Sequence, residues 1–486
     1  MTILQFLRKA RQIHLQFLSG SLTESPIYVL GNPSADLDSI ISAIIYSYCA
    51  NNRLPSKTPR PHIPLLNLPN IPSGPDLYRL RPEFVTALWL STTFPALRPD
   101  EQFEDSAESA GNLLRDHIIT VADFAQSLHD LKPPRKHIEA DTVLVDWNAL
   151  PERLPGGAGA EGKGSLGGVL SNVTFHAMGC IDHHVDEHFM PDPTKLPFSQ
   201  PIIIQPGPGS CSSLIMNEMR ERGLWGLGSE SESDSASIPA SLDASSGEMA
   251  QAAKLALAAM LIDTSNLQAE GKVTEVDVHA VEFLRAQVSA VGGEEGSTWD
   301  MEKFYEKVLW AKQNSLDRLT LSEVLGRDYK EWTDTAQSSG TNMTVGFCSS
   351  VKPIRWVIRK AGGSQEFLDR VQEFASSEGR KLDAVVVMTS FTAKDGEFAR
   401  ELFVSAVDEK GRSVDGIRSF VENSAYQLEL VTWSALDGES VDIPEEEIRS
   451  TLDGDEGIWR RLWIQRNTKA SRKQVAPLMR EALSKL

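Results

Sequence analysis

Cysteine is scarce in this chain. Four residues of 486, Cys49, Cys180, Cys211 and Cys348, make no disulfide framework, and none belongs to a C-x-x-C pair. Zinc-knuckle chemistry is thereby excluded and a reducing compartment favoured. Long apolar runs are missing as well: none approaches the roughly 18 residues that span a bilayer. Nor is there an excess of positive charge. Lys and Arg total 48 against 67 Asp and Glu, a formal net charge of −19. Counterion release from a phosphate backbone needs a broad basic face, which disfavours a general nucleic-acid or membrane-surface binder.

What is present is ordinary globular composition, 41% hydrophobic and 24% charged, over a length that suggests two or three domains. The first 17 residues carry Arg8, Lys9 and Arg11, and no acid precedes Glu24. This stretch lacks the Ser-rich character of a transit peptide. Its apolar residues Ile3, Leu4, Phe6, Leu7, Ile13, Leu15 and Phe17 suit an amphipathic helix packed on the body. The expected location is the cytoplasm, with the mitochondrion as the alternative. The glycosylation sequons at Asn172 and Asn342 are read as chance matches.

Short apolar runs lead into turns and then helical patterns, the alternation expected of an α/β sheet. Residues 26–30 (PIYVL) lead into GNPSADLDS and a helix, and 142–145 (TVLV) end at Asp146. Residues 173–181 end at Asp182-His183-His184, and 202–204 lead into PGPGSCSS and a helix. An alanine-rich helix over 252–260 leads to Leu261, Ile262 and Asp263. Loops beyond strand carboxyl ends are where open α/β sheets bind ligands. Residues 151–168 (Gly-rich) and 226–247 (Ser- and acid-rich) read as low-complexity surface insertions. A break over 291–297, with GGEEG at its centre, reads as a linker and places the domains at 1–297 and 298–486. Beyond it come helices near 302–313 and 321–332, then strands over 343–348, 384–388, 402–407 and 428–433.

Chemistry-bearing residues gather at the strand ends. Asp36 and Asp38, at i, i+2 in a strand-to-helix loop, suit a hard cation; a helix cap would equally explain Asp38. Adjacent histidines behind an aspartate, Asp182-His183-His184, suit a metal ligand oriented by a neighbouring carboxylate. His184-x-x-Glu187-His188 fits the inverted zinc-protease pattern, but Pro191 and Pro193 leave no room for the helix it requires. Asp146 and Asp263 each follow apolar runs, where an uncompensated carboxylate is costly; a cap remains open for each. Together four aspartates and His183 suffice for two ions that activate water and clamp a phosphoryl oxygen. Gly207 to Ser213 has the character of a phosphate-cradling turn, without the G-K-[ST] ending of a Walker loop. Cys211 lacks the nearby arginine of a cysteine phosphatase and is read as packing.

In order and context, GNPSADLDSIISA, LVDWN, DHH, GSCSSL, LIDTSN, GRDYKEW and ASRKQ resemble the DHH phosphoesterase superfamily. The branch most similar is that of eukaryotic cytosolic exopolyphosphatases, related to prune proteins and family II inorganic pyrophosphatases. The resemblance implies an α/β fold: an N-terminal DHH domain with a mostly parallel sheet flanked by helices, and a smaller C-terminal DHHA2 domain with a mixed sheet. It implies an active site in the cleft between them. It implies Asp36, Asp38, Asp146 (bridging), His183 and Asp263 as metal ligands. Asp182 is then the partner behind them, and His184 the group that contacts substrate and protonates a leaving oxygen. Asn32 stands where many relatives have His. An amide is a poorer transition-metal ligand, placing Asn32 as a weak or outer ligand and favouring Mg²⁺ over Mn²⁺ or Co²⁺. Lys330, Arg472 and Lys473 correspond to phosphate-gripping residues, with Lys352 and Arg355 weaker candidates. Residues 459–486 hold eight Lys or Arg and one acid.

The expected activity is metal-dependent release of terminal orthophosphate from linear inorganic polyphosphate, by a monomer with two or more divalent cations, Mg²⁺, Mn²⁺ or Co²⁺. No nucleic-acid or membrane partner is expected, since no aromatic-interleaved basic face accompanies the motifs. A pyrophosphatase or prune-type short-chain polyphosphate or nucleotide phosphohydrolase is the enzymatic alternative. A catalytically silent phosphate-binding scaffold is the alternative of another class.

Overall fold

A computed structural model describes residues 1–22, 24–51, 60–93, 106–131, 137–154, 161–195, 200–225, 241–290 (side chains from 247), 299–317, 319–338, 340–377, 379–408, 411–436, 443–454 and 459–486. The chain divides into two compact units, Met1–Ser315 and Leu316–Leu486. The division falls beyond residue 297 because the helix Met301–Asn314 packs on the helices Pro82–Thr93 and Ser241–Asp263 of the first unit. The expected linker at 291–297 lies outside the described residues.

The first unit is built on β1 (Ile27–Leu30), β2 (His62–Leu65), β3 (Ile138–Val145), β4 (Glu152–Arg153), β5 (Lys163–Ser165), β6 (Val173–Asp182) and β7 (Ile202–Ile204). Their order is β2-β1-β3-β6-β5-β4, with β7 also on β6. β2, β1, β3, β6 and β7 run parallel and β5 and β4 antiparallel. β1 is buried at every position, the continuous apolar run of a strand covered on both faces. Part of the expected insertion at 151–168 is therefore sheet: its ends pair as β4 and β5, and 155–160 lie outside the described residues. Of 226–247, residues 226–240 lie outside them, and the helix that follows begins already at Ser241.

Two helices carry site residues. Leu37–Asn51 is buried on all sides, as an all-round apolar helix must be, against β2 and the helices Cys211–Glu221 and Ser241–Asp263. In the last of these Ala250, Ala252, Ala253, Ala256, Ala258 and Ala259 are buried, and their small side chains let helices approach closely. The N-terminal helix, Ile3–Leu18, opens with a capping box of Thr2 and Gln5 and buries Ile3, Leu4, Phe6, Leu7, Ala10, His14, Phe17 and Leu18. Leu15, expected on that face, is 48% exposed because it falls off the 3.6-residue stripe.

The second unit holds β8 (Tyr329–Thr335), β9 (Asn342–Ser350), β10 (Ala384–Thr392), β11 (Phe398–Ala406), β12 (Leu430–Thr432) and β13 (Arg460–Gln465), in the order β12-β13-β11-β10-β9-β8. Only β9 and β10 are parallel, so this sheet is mixed. Val345, Phe347, Val386 and Val404 pack with Ile417, Phe420, Val475 and Met479 in its core. The helix expected over 321–332 ends at Arg327, and Tyr329 to Thr335 form a strand. Tyr329, Trp332, Thr333 and Thr335 are residues of high strand preference and favour the edge of a sheet over another helical turn. Similarly, Leu428 ends a helix before the short β12. Among the described residues no helix is long and apolar enough to cross a membrane.

Candidate metal centre

Three adjacent parallel strands, β1, β3 and β6, deliver their carboxyl ends to one place. β1 runs into Asn32 and the loop to Asp36; β3 ends beside Asp146; β6 ends on Asp182, with His183 and His184 next. One ligand atom from each of Asp146, Asp182, His183 and His184 lies within 4.8 Å of the others. Asp36, Asp38 and Asp263 fall outside that tightest group.

Asp146 is the hub. It is buried, with φ +52°. Its N–H donates to Ile181 O at 3.0 Å and to Cys211 Sγ at 3.2 Å. Its Oδ2 accepts from Asn32 Nδ2 and Ser39 Oγ, both at 2.6 Å. Asn32 Oδ1 accepts from Ser34 N–H at 2.9 Å and from the Ser34 hydroxyl, so the amide positions Asp146. The loop carbonyl of Ser34 is gripped by buried Arg81.

Asp146 Oδ1 lies 3.1 Å from His183 Nε2. The other nitrogen of that ring, Nδ1, sits 2.9 Å from Pro208 O, a pure acceptor, so Nδ1 carries a proton. In a neutral ring Nε2 then offers a lone pair straight at a carboxylate. Such a contact is favourable only with a proton or a cation between the two atoms. The acids compound the demand. Burial pushes the Asp146 carboxyl up to about 6, His183 opposing and Asp36 and Asp38 adding to the rise. Burial, with repulsion from Asp38 and Asp36, pushes Asp263 up to about 8 against Lys312 and Lys272. Carboxylates plus imidazole, held so, are a donor set that fits a hard or borderline divalent cation.

The cap alternatives resolve residue by residue. Asp36 caps the helix Leu37–Asn51, its Oδ1 accepting from Ser39 N–H at 3.0 Å. Asp38, inside the first turn, turns to another helix: Oδ2 accepts from Cys211 N–H at 2.6 Å and Oδ1 from Ser212 N–H at 3.1 Å. Asp263 is the last residue of its helix, an end where the dipole disfavours an anion, so it is no N-cap. The phosphate cradle expected at 207–213 needs correction: Gly209 and Ser210 donate their N–H groups to Asp277, at 2.9 and 3.3 Å, and the next two go to Asp38. Cys211 is fully buried, donates to Ile181 O at 3.2 Å, and has its thiol pushed far up by burial, then by Asp38 and Asp146. It is no nucleophile.

Asp182 aims His184. Its Oδ1 accepts from His184 Nδ1 at 2.7 Å and its Oδ2 from Asn148 Nδ2 at 2.6 Å. Burial opposes ionisation of Asp182, but His184, His183 and Asn148 together hold its carboxyl well below the usual range. His184 is partly exposed, and its ring meets that of His183 edge-on at 4.7 Å. No helix follows, so the zinc-protease pattern has no scaffold here.

In the second unit Lys330 lies on β8 opposite Phe347. Arg472 opens the helix Arg472–Ser484; its guanidinium donates to Asp328 O at 2.9 Å, Asp328 Oδ1 at 2.8 Å and Ser349 Oγ at 3.3 Å. Lys473 follows it, exposed. The Lys352 ammonium lies 5.9 Å from the Trp356 ring, and Arg355 is buried 3.5 Å from Glu445. Missed in the sequence were Ser39, Asn148 and Asp277, while Ser210 and Ser212, expected to face phosphate, hold Asp38 instead. Ser39 and Asn148 stood within quoted motifs; Asp277 carried no signal beyond its capping box with Thr274.

Residues 307–482 match the DHHA2 domain family. The chain is also 27% identical, over 492 residues, to a Schizosaccharomyces pombe protein named "Putative exopolyphosphatase", covering 99% of this chain and 98% of that one. The two findings together support a phosphohydrolase of the DHH type.

Proposed function

We propose that this chain, a DHH-superfamily, exopolyphosphatase-like protein, is a metal-dependent exopolyphosphatase that removes terminal orthophosphate from linear inorganic polyphosphate. The observation that carries the reading is the Asp146–His183 contact of 3.1 Å among like-charged acids. Asp36, Asp38, Asp146, His183 and Asp263 would hold the divalent cations. When bound, such ions supply Lewis acidity toward a phosphoryl oxygen and activate water.

The remaining work falls to side chains. Asn32 and Ser39 fix Asp146. Asp182 keeps the proton on His184 Nδ1 and stabilises the imidazolium, so His184 Nε2 can deliver a proton to the leaving phosphate oxygen. Lys330, Arg472 and Lys473 are the candidate counter-charges for the polyanion. Arg472 is braced by Asp328 and Ser349 through Nη1 and one Nη2 N–H, so Nε and the second Nη2 N–H are the donors it would offer phosphate oxygens. The candidate metal ligands belong to the first unit and the candidate cationic phosphate contacts to the second; the cytoplasm is the proposed location.

The test is phosphate release from pyrophosphate, tripolyphosphate and long polyphosphate, each with Mg²⁺, Mn²⁺ or Co²⁺. Turnover rising with chain length supports the proposal. Turnover confined to pyrophosphate or nucleotides would transfer the reading to the short-chain phosphohydrolases, and release no faster than a protein-free blank would sink catalysis altogether.

A further inference from the structure

The turn entering the helix Cys211–Glu221 holds an anion, and that anion is a side chain of the protein itself. Asp38 Oδ1 accepts from Ser210 Oγ at 2.8 Å, Ser212 Oγ at 2.8 Å, Ser212 N–H at 3.1 Å and Ser42 Oγ at 3.4 Å. Asp38 Oδ2 accepts from Cys211 N–H alone among these, at 2.6 Å. We propose that residues 209–212 are a positioning device for Asp38. They saturate one carboxylate oxygen and leave the other for a cation, so this turn sets the affinity of the metal centre and does not grip the phosphate chain. The inference rests on the metal reading given above.

Three features of the turn lead there. First, the N–H groups of Gly209, Ser210, Cys211 and Ser212 are all committed to protein carboxylates, two to Asp277 and two to Asp38. A phosphate would have to displace one of them. Second, the turn is braced from behind. Asp277 is fully buried and also accepts from Thr274 N–H and Thr274 Oγ1, at 2.9 and 2.8 Å, which ties the turn to the start of the helix Glu275–Ser289. Gly209 sits so close that a Cβ there would meet Lys272 O and Thr264 Cγ2 at 2.8 Å. Third, the donor count is lopsided. A carboxylate oxygen has two lone pairs; Oδ1 faces four donors while Oδ2 meets one. Oδ2 is therefore the oxygen with capacity for an ion, and its direction is fixed by the oxygen that the serines hold. A helix N-terminus favours an anion, and here it receives one from a different helix.

The test uses the full chain and Mn²⁺, with free ion followed by electron paramagnetic resonance and phosphate release measured separately at saturating metal. Ser210→Ala with Ser212→Ala should weaken Mn²⁺ binding about 10- to 100-fold, the usual effect of removing a partner behind a ligand. Ser212→Thr, which keeps the hydroxyl, should restore most of it, and KM for polyphosphate should stay near the wild-type value. Unchanged Mn²⁺ affinity with a KM raised tenfold would overturn the inference in favour of a phosphate cradle. Asp38→Asn in the same titration separates the two layers. If it weakens Mn²⁺ binding while the serine variants do not, the positioning role falls and the metal reading stands. If neither matters, both fall. Should the double variant fail to fold, Ser210→Ala alone carries the same comparison.

Discussion

Replacing Asp146 by Asn should have opposite effects on stability with and without metal. In the metal-free protein the Asp146 carboxyl is displaced by burial from 3.8 to about 6. At about 1.4 kcal/mol per tenfold change in proton affinity, the ionised form carries a penalty of about 3 kcal/mol. Because the folded value is raised, the stability conferred by the protonated carboxyl is fully present below about pH 4 and is lost as pH rises through about 6, above which the penalty is in force. Asp263, raised to about 8, extends the decline toward pH 8. Asparagine keeps the shape and removes the charge. Its oxygen can take the Asn32 and Ser39 donors, and its NH₂ can donate to His183 Nε2, the lone pair that now faces a carboxylate. In chelator at pH 8 the variant should therefore unfold later than wild type, by up to about 3 kcal/mol, or several degrees at about 2–4 °C per kcal/mol. With Mn²⁺ the order should reverse, and turnover should vanish. Urea or thermal unfolding by circular dichroism, from pH 4 to 8 in chelator and in Mn²⁺, reads both arms. A variant less stable than wild type in chelator at pH 8, or one still stabilised by Mn²⁺ and active, would refute the assignment of Asp146.

Asp182→Asn should leave Mn²⁺ affinity nearly intact while lowering kcat by about 10²- to 10⁴-fold, the range of a lost general acid; equal losses in both would make Asp182 a scaffold residue. Arg472→Lys, which breaks the fork to Asp328 and Ser349, should raise KM for long polyphosphate several-fold at unchanged metal affinity. Buried His14, 2.9 Å from Tyr28 Oη, has its imidazole pushed down to about 3 by burial and then by Arg11. A lowered histidine leaves stability present above about pH 6.5 and removes it as pH falls toward 3, at about 1.4 kcal/mol per pH step. His14→Gln should flatten that acid limb in urea titrations; an unchanged slope would place the titrating group elsewhere.

Strand ends and their acids were legible in the sequence because both signals are local. An apolar run such as IYVL or TVLV that stops at a polar loop marks the carboxyl end of a buried strand, and Asp146 and Asp182 stand at such ends. The partners of Asp38 were not legible. Apart from Ser42, its donors lie more than 170 residues away, and nothing in GSCSS distinguishes a turn that holds a phosphate from one that holds a carboxylate. Lys330 was misplaced on a helix because helical pattern and strand alternation overlap in GRDYKEW, and pairing with β9 decides between them. The extent of the first unit was hidden for the same kind of reason. The residues of the helix Met301–Asn314 read equally well on either side of a linker, and only its packing on Pro82–Thr93 assigns it.

Backbone strain and like charge fall on the same few residues. Seven described non-glycine residues have positive φ; Asp146 is itself a candidate ligand, Ala35 directly precedes Asp36, and Ser265, Asn266 and Leu267 follow within four residues of Asp263. Each such conformation costs about 1–3 kcal/mol and persists only where its surroundings over-determine it. Here the surroundings are two deeply buried helices, Leu37–Asn51 and the apolar stretch that ends at Asp263, which hold Asp38 and Asp263 toward each other against their repulsion. A chain with net charge −19 could have spread these aspartates over its surface at no electrostatic cost. It collects them at buried strand and helix ends instead, so the metal-free fold stores an unfavourable term that a divalent cation removes. On the proposed metal reading, cation binding and folding of the first unit form one coupled equilibrium, in which stability should rise with the logarithm of free metal above its dissociation constant. The scarcity of positive charge along the sequence argues in the same direction: the compensation for this site is expected from ions, which on the proposed function leaves the side-chain cations for the phosphate chain.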